Sequence, residues 1–214
     1  MTVSALQPPL DDRLRAALTE LLSETRLAHS VRVSDTAYQL AQQLGFSPDD
    51  CQRVQVAGLL HDAAKQLTPE SLAGQMGCAV SECLPDLWAA FPSVWHAYAG
   101  PALAQRRWGI SDPIILDAMR YHTTGNDQMT PVAKVVFVAD FVEPGRTLPI
   151  AGYLAQLAVS DLDSAVYGIT VVTLRNLIVR QFQIHPATLA CYNAALKAVS
   201  PERRQAILTA VETS

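Results

Sequence analysis

Four times in this chain a hydroxyl residue stands directly before proline at the head of an apolar, periodic run: Ser47-Pro48, Thr68-Pro69, Thr130-Pro131 and Ser200-Pro201. At a helix start the hydroxyl accepts a bond from a free backbone N–H, and proline in the first position surrenders only an N–H that had no partner. The helix stops are equally legible, with Gly45, Gly109 and Gly125 placed where a left-handed C-terminal cap would sit. No Asn-Gly or Asp-Gly pair separates alternating runs, so the hairpin signal is missing. The pattern predicts an all-α chain with helices near 11–23, 26–44, 48–65, 69–76, 93–108, 112–123, 131–142, 149–158, 162–182, 187–199 and 201–212. Val166 to Val179 has the Val, Ile and Thr content of a strand, but Leu162, Val166, Ile169, Thr173 and Leu177 fall at helical spacing over one uninterrupted run.

At 214 residues, with 50% hydrophobic and only 17% charged residues, the chain can bury one mid-sized core and cannot be intrinsically disordered. A net charge of −4 argues against a nucleic-acid surface, which needs clustered Lys and Arg. The longest run without a charged residue, Leu87 to Gln105, contains Pro92, Pro101, Gly100 and His96 and makes a poor membrane span. Met1 to Leu10 lacks the layout of a signal peptide, and Cys51, Cys78, Cys83 and Cys191 form no C-x-x-C pair; both features lead to the expectation of a cytoplasmic protein with reduced thiols.

Against this apolar background, a few polar residues occupy positions where core residues belong. Stepping back four residues from Val33 on the stripe Val33, Ala37, Leu40 reaches His29. The all-apolar segment Val56 to Leu60 runs straight into His61-Asp62, the stripe Ile115, Ala118, Met119 leads to His122, and Asp140 interrupts Val135 to Ala139. A single such histidine or aspartate reads as a hydrogen-bonded core residue, but unpaired burial is costly for these types, and one metal centre accounts for all four sites together.

The order His29, His61-Asp62, Asp140 resembles the HD superfamily of metal-dependent phosphohydrolases, and His96 and His122 fall between the pair and the last Asp as they do in the members that hold two metals. The strings His61-Asp62-Ala63-Ala64-Lys65, Trp95-His96-Ala97, Tyr121-His122-Thr123-Thr124-Gly125 and Ala139 to Arg146, with His185-Pro186 and Tyr192-Asn193, are similar to the bacterial YqeK family of symmetrical dinucleoside tetraphosphatases. That resemblance implies a single-domain helical bundle: residues 1–25 an N-terminal helix, 26–196 the HD domain, and 197–214 a C-terminal helix packed on or extending it.

It also implies a dinuclear centre, with His29, His61, Asp62 and Asp140 on one metal and Asp62 bridging to a second held by His96 and His122. Iron is what the resemblance implies; imidazole and carboxylate donors without thiolate suit manganese and zinc as well. The implied reaction is hydrolysis of diadenosine tetraphosphate to two ADP by a metal-bridging hydroxide, with Asp62 and Lys65 as catalytic residues. Lys65, Arg32, Thr123, Thr124, Gly125 and Arg146 are the candidate substrate contacts. Each has a plainer alternative: a surface lysine, a helix cap, or an ion pair between an arginine and Glu143. Glu143, one turn after Asp140, can also orient a ligand from behind. The partner is then a small dinucleoside polyphosphate or nucleoside diphosphate, with no nucleic acid and no membrane, and a homodimer stays open. Two other functions remain at this point: a different HD phosphoesterase acting on guanosine alarmones, cyclic dinucleotides or nucleotides, and a nucleotide-binding regulatory module without turnover.

Overall fold

Six of the helices begin with proline in their first turn, each behind a side chain that accepts a backbone N–H: Ser47 from Asp50, Thr68 from Ser71, Asp112 from Ile114, Thr130 from Ala133, His185 from Ala187 and Ser200 from Arg203. The computed structural model describes residues 10–77 and 89–213 of the chain. Among these are eleven helices and no strand: α1 (Leu10–Leu18), α2 (Glu24–Gln43), α3 (Pro48–Leu60), α4 (Pro69–Met76), α5 (Trp95–Trp108), α6 (Pro113–Tyr121), α7 (Pro131–Val142), α8 (Ala151–Ser160), α9 (Leu162–Val179), α10 (Pro186–Ala198) and α11 (Pro201–Glu212). Residues 1–9 of the N-terminal segment, Cys78, Cys83 and Trp88 lie outside the described residues; Cys51 and Cys191 are buried free thiols.

The centre of the molecule is the packed group α2, α3, α6 and α7, with α5 laid on α6. Between α2 and α3 the contact is backbone to backbone: a Cβ built on Gly58 would lie 3.0 Å from Ser34 Cα and 3.2 Å from Ser34 N. The Ser34 hydroxyl adds a 2.8 Å bond to the Gln55 carbonyl across the same seam. Leu14 and Leu18 carry α1 into this core, and Ile207 and Val211 fix α11 on α9.

Helix α9 is long and apolar enough to cross a membrane by length and composition alone, with a mean hydropathy of 1.3. Its packing gives another reason for that apolarity, because Ser164 to Thr170 are all buried and α9 touches α7, α8, α10 and α11. Several helices stop short of the sequence expectation. The first ends at Leu18 rather than 23, α3 at Leu60 rather than 65, α6 at Tyr121 rather than 123, and α9 at Val179 rather than 182. At α3 and α6 the next residue is a histidine that keeps helical backbone angles and bonds through its ring to the carbonyl three residues back.

Candidate metal centre

His61 follows the last residue of α3 and His122 the last residue of α6. Their Nδ1 atoms donate to the carbonyls three residues back, His61 to Gly58 at 2.7 Å and His122 to Met119 at 2.6 Å. Both contacts satisfy a carbonyl that the helix end leaves free, and both fix the tautomer with its Nε2 lone pair facing inward. His29 is oriented in the same manner from another direction, its Nδ1 donating to Glu143 Oε1 at 3.0 Å. Three rings, each held from behind, thus direct acceptor nitrogens into the interior around Asp62. The Nε2 atoms of His29 and His61 are buried without a hydrogen-bond partner, a situation that costs free energy unless an electrophile fills it.

Asp62 lies in the middle, and its two oxygens face different ways. Oδ2 is 3.5 Å from His61 Nε2 and 3.8 Å from His29 Nε2, while Oδ1 is 3.1 Å from His96 Nε2 and 3.5 Å from His122 Nε2. Asp140 joins the first group only, with Oδ1 3.1 Å from His29 Nε2 and 3.9 Å from His61 Nε2. Asp62 thus stands between two groups of imidazoles; the sets whose ligand atoms lie close enough to hold one ion are His29, His61 and Asp140, and His61, Asp62 and His122, with His96 beside the second at Asp62 Oδ1. The buried, unpartnered imidazole nitrogens and the all N and O donor set fit divalent cations of the iron, manganese or zinc type.

The charges around the centre are strongly coupled. Burial opposes ionisation of Asp62 and Asp140, yet the surrounding imidazoles, joined by Arg146 at Asp140, hold both carboxyls below the ordinary carboxylate range. Burial also works against Glu143, but Arg32, the Gly145 N–H and His29 bring its pKa down to about 2. Burial lowers the Lys65 ammonium, with the Asp62 charge pulling the other way. The Lys65 Nζ lies 3.3 Å from His96 Nε2, at the edge of the second cluster.

Of the candidate substrate contacts, Arg32, Lys65 and Arg146 line an open cleft of about 460 Å³ whose lining also includes the buried His29 and Glu143. Arg32 is engaged with Glu143, Nε to Oε2 at 2.6 Å, and Arg146 with Asp140, Nη2 to Oδ1 at 2.6 Å. Thr123 points into the centre, its hydroxyl 2.7 Å from His122 Nε2. Gly125 takes the helix-cap alternative, its N–H donating to the Tyr121 carbonyl at 2.8 Å and closing α6 where the sequence places a stop. Thr124 is buried with its hydroxyl donating to the Gly125 carbonyl. Sequence reasoning missed Arg26, which lines the same cleft and places Nη1 2.9 Å from Asp62 Oδ2. Its signal was present: Arg26 precedes His29 by three residues and shares its helix face. His185 caps α10, and Trp95 is core.

Comparison with known proteins follows the same geometry. The HD domain family matches residues 26–145, a span that holds all six candidate ligands and Glu143. The chain belongs to the HD-domain family. As an HD-domain protein it is 35% identical over 178 residues to the symmetrical bis(5'-nucleosyl)-tetraphosphatase of Bacillus subtilis, covering 83% of this chain and 93% of that protein. The Staphylococcus aureus protein of the same name is 34% identical, covering 85% and 92% respectively. A crystal structure from Clostridium acetobutylicum, described as a predicted HD superfamily hydrolase involved in NAD metabolism, superposes with a TM-score of 0.77 at 30% identity, covering 88% of this chain and 98% of that one. An HD-domain hydrolase with this fold is thus shared with these bacterial relatives.

Proposed function

We propose that this chain hydrolyses dinucleoside tetraphosphates, diadenosine tetraphosphate foremost, symmetrically to two nucleoside diphosphates. The observation that carries the reading is the division of Asp62 between two histidine pairs, joined through Arg26 to a cleft lined by Arg26, Arg32, Lys65 and Arg146. His29, His61, Asp62 and Asp140 would hold one divalent metal, and Asp62, His96 and His122 a second. Such a pair lowers the pKa of a coordinated water toward neutrality and polarises phosphoryl oxygens. Iron is the metal we assign, with manganese and zinc as the chemically suitable substitutes.

The chain's own residues supply the rest. Lys65, half-buried beside His96, places a compact cation where charge builds on the phosphate bridge. The Thr123 hydroxyl donates to a phosphoryl oxygen from the floor of the site. Arg26, Arg32 and Arg146 surround the cleft with guanidiniums suited to bidentate phosphate contact. Names of the relatives favour this substrate over other phosphoesters and over a regulatory module.

The test is to incubate iron-loaded protein with diadenosine tetraphosphate and separate the products by ion exchange. ADP as sole product supports the reading, ATP plus AMP refutes the symmetrical cut, and absence of turnover refutes the enzyme. His61→Ala and Asp62→Ala should lose bound metal and activity together; full activity in either refutes the ligand set.

A further inference from the structure

A dinucleoside substrate has two bases to place, and the basic cleft accounts only for phosphates. On the other side of the centre, a second cavity of about 170 Å³ is lined by His122, Asp140 and Arg146 and continues along α9 through Ile169 and Thr173. One turn further, Leu177 lines a third cavity of about 240 Å³ together with Phe91 and Phe182 and the polar side chains of Ser93 and Gln183. Ile169, Thr173 and Leu177 recur every four residues, so the two cavities follow one another along a single face of α9. At 1.5 Å of rise per residue, Ile169 to Leu177 spans about 12 Å, within the reach of a nucleoside diphosphate anchored at the metal centre.

The far cavity has the makings of a stacking site. Phe182 is held there by the helix end: its N–H donates to the Leu177 carbonyl at 2.8 Å, and Gln181 before it takes a left-handed φ of 56°. A side chain other than glycine in that conformation carries strain, which the surrounding turn must hold. The outcome is a phenyl ring 52% exposed, with the Arg180 guanidinium 4.5 Å from its centroid over one face. Phe91, opposite, is packed edge-on against the His185 ring at 4.7 Å. Neither phenylalanine belongs to the buried core. Apolar walls with two amide or hydroxyl groups at the rim match a flat heteroaromatic ring with a hydrogen-bonding edge.

We propose that this cavity is a nucleobase subsite, in which Phe182 stacks on the base of one nucleoside diphosphate arm while Ser93 and Gln183 meet its polar edge. The inference rests on the nucleotide-hydrolase reading above and commits the second arm to the basic cleft. The experiment uses the metal-loaded full-length protein and isothermal titration calorimetry with two probes, ADP and inorganic pyrophosphate, on wild type, Phe182→Ala and Phe182→Tyr. The site predicts that Phe182→Ala weakens ADP about tenfold or more and leaves pyrophosphate within twofold, with Phe182→Tyr restoring ADP. Equal losses for both probes, or no loss for ADP, overturn the subsite while wild-type cleavage of diadenosine tetraphosphate still stands. A wild type that neither cleaves that substrate nor binds ADP overturns the functional reading and the subsite with it.

Discussion

Gly58→Ala tests whether the centre depends on the spacing of α2 and α3. In an exposed helix the change would stabilise by about 1 kcal/mol through helix propensity. Here the new methyl meets Ser34 Cα at 3.0 Å, Ser34 N at 3.2 Å and Val33 C at 3.4 Å, all backbone of a packed helix that has no rotamer to give way. Overpacking of this kind costs about 1–3 kcal/mol, so after the propensity gain a net loss of up to about 2 kcal/mol is expected. For a chain of this length that lowers Tm by up to about 8 °C. The same shift moves the carbonyl that holds His61 Nδ1, and His29 and His61, whose ring centroids are 5.2 Å apart, belong to the two helices being separated. Metal affinity should therefore drop as well, toward the lower end of the 10–100-fold range for disturbed ligand supports. Thermal melts of metal-free protein and competitive metal titration read the two effects separately. A Gly58→Ala variant that melts higher than wild type, with metal binding unchanged, would refute the argument that backbone contact at this seam sets the geometry.

Three further outcomes follow from single residues. Glu143→Gln keeps the shape but removes the charge that receives His29 and Arg32, so metal affinity should fall 10–100-fold by competitive titration. Because the wild-type carboxyl is held near 2 against an ordinary 4.5, its stabilisation is present above 4.5 and is lost as pH falls toward 2; acid melts of the metal-free variant should lack that component. Lys65→Ala should reduce kcat/KM for diadenosine tetraphosphate about 100-fold with metal content unchanged, and a proportional loss of metal would show that Lys65 acts through the centre's assembly. Gly125→Ala puts a Cβ into Cys191 Sγ at a φ of +63° and should destabilise by about 2–3 kcal/mol, read by thermal melting, while the folded fraction keeps its turnover; loss of turnover without loss of stability would return Gly125 to the phosphate contacts.

The helix starts and the ligand positions were legible because both rest on local rules. A Ser or Thr before proline has one good use, and a histidine or aspartate in an apolar run demands a partner wherever the run ends up. What local rules could not supply was the direction of polar groups around turns. Gly125 is legible both as a helix stop and as a phosphate contact, and what decides between them, the bond of its N–H to the Tyr121 carbonyl, depends on where α6 stops. The helix ends themselves were overrun at α3 and α6 because a histidine continuing an apolar stripe looks like another helical residue, and only its side-chain bond to the carbonyl three residues back shows the turn. Arg26 was overlooked for the opposite reason: on a helix surface an arginine is ordinary, and its significance comes from Asp62, 36 residues away.

The arginines also resolve how a chain with few charges and a net acidic balance can take a polyanion. Each acid at the centre has its own guanidinium: Asp62 has Arg26, Asp140 has Arg146 and Glu143 has Arg32. The arginine side chains are 35%, 38% and 39% exposed while their acids are 4%, 18% and 2% exposed, so each buried carboxylate is compensated by a guanidinium that keeps a solvent face. Metals taking the Asp62 and Asp140 oxygens would free Arg26 and Arg146 for phosphate oxygens, while Arg32 stays with Glu143 behind His29. Charge that cancels across those two pairs would then separate, the carboxylates facing the metals and the guanidiniums facing the substrate, which concentrates positive potential in the cleft without raising the charge of the molecule. Arg26→Gln and Arg146→Gln should accordingly weaken the substrate through KM, with a reduced salt dependence and metal content unchanged. Steady-state kinetics at low and high ionic strength decides it, and a kcat effect with KM and salt dependence intact would mean that the arginines serve the carboxylates rather than the substrate.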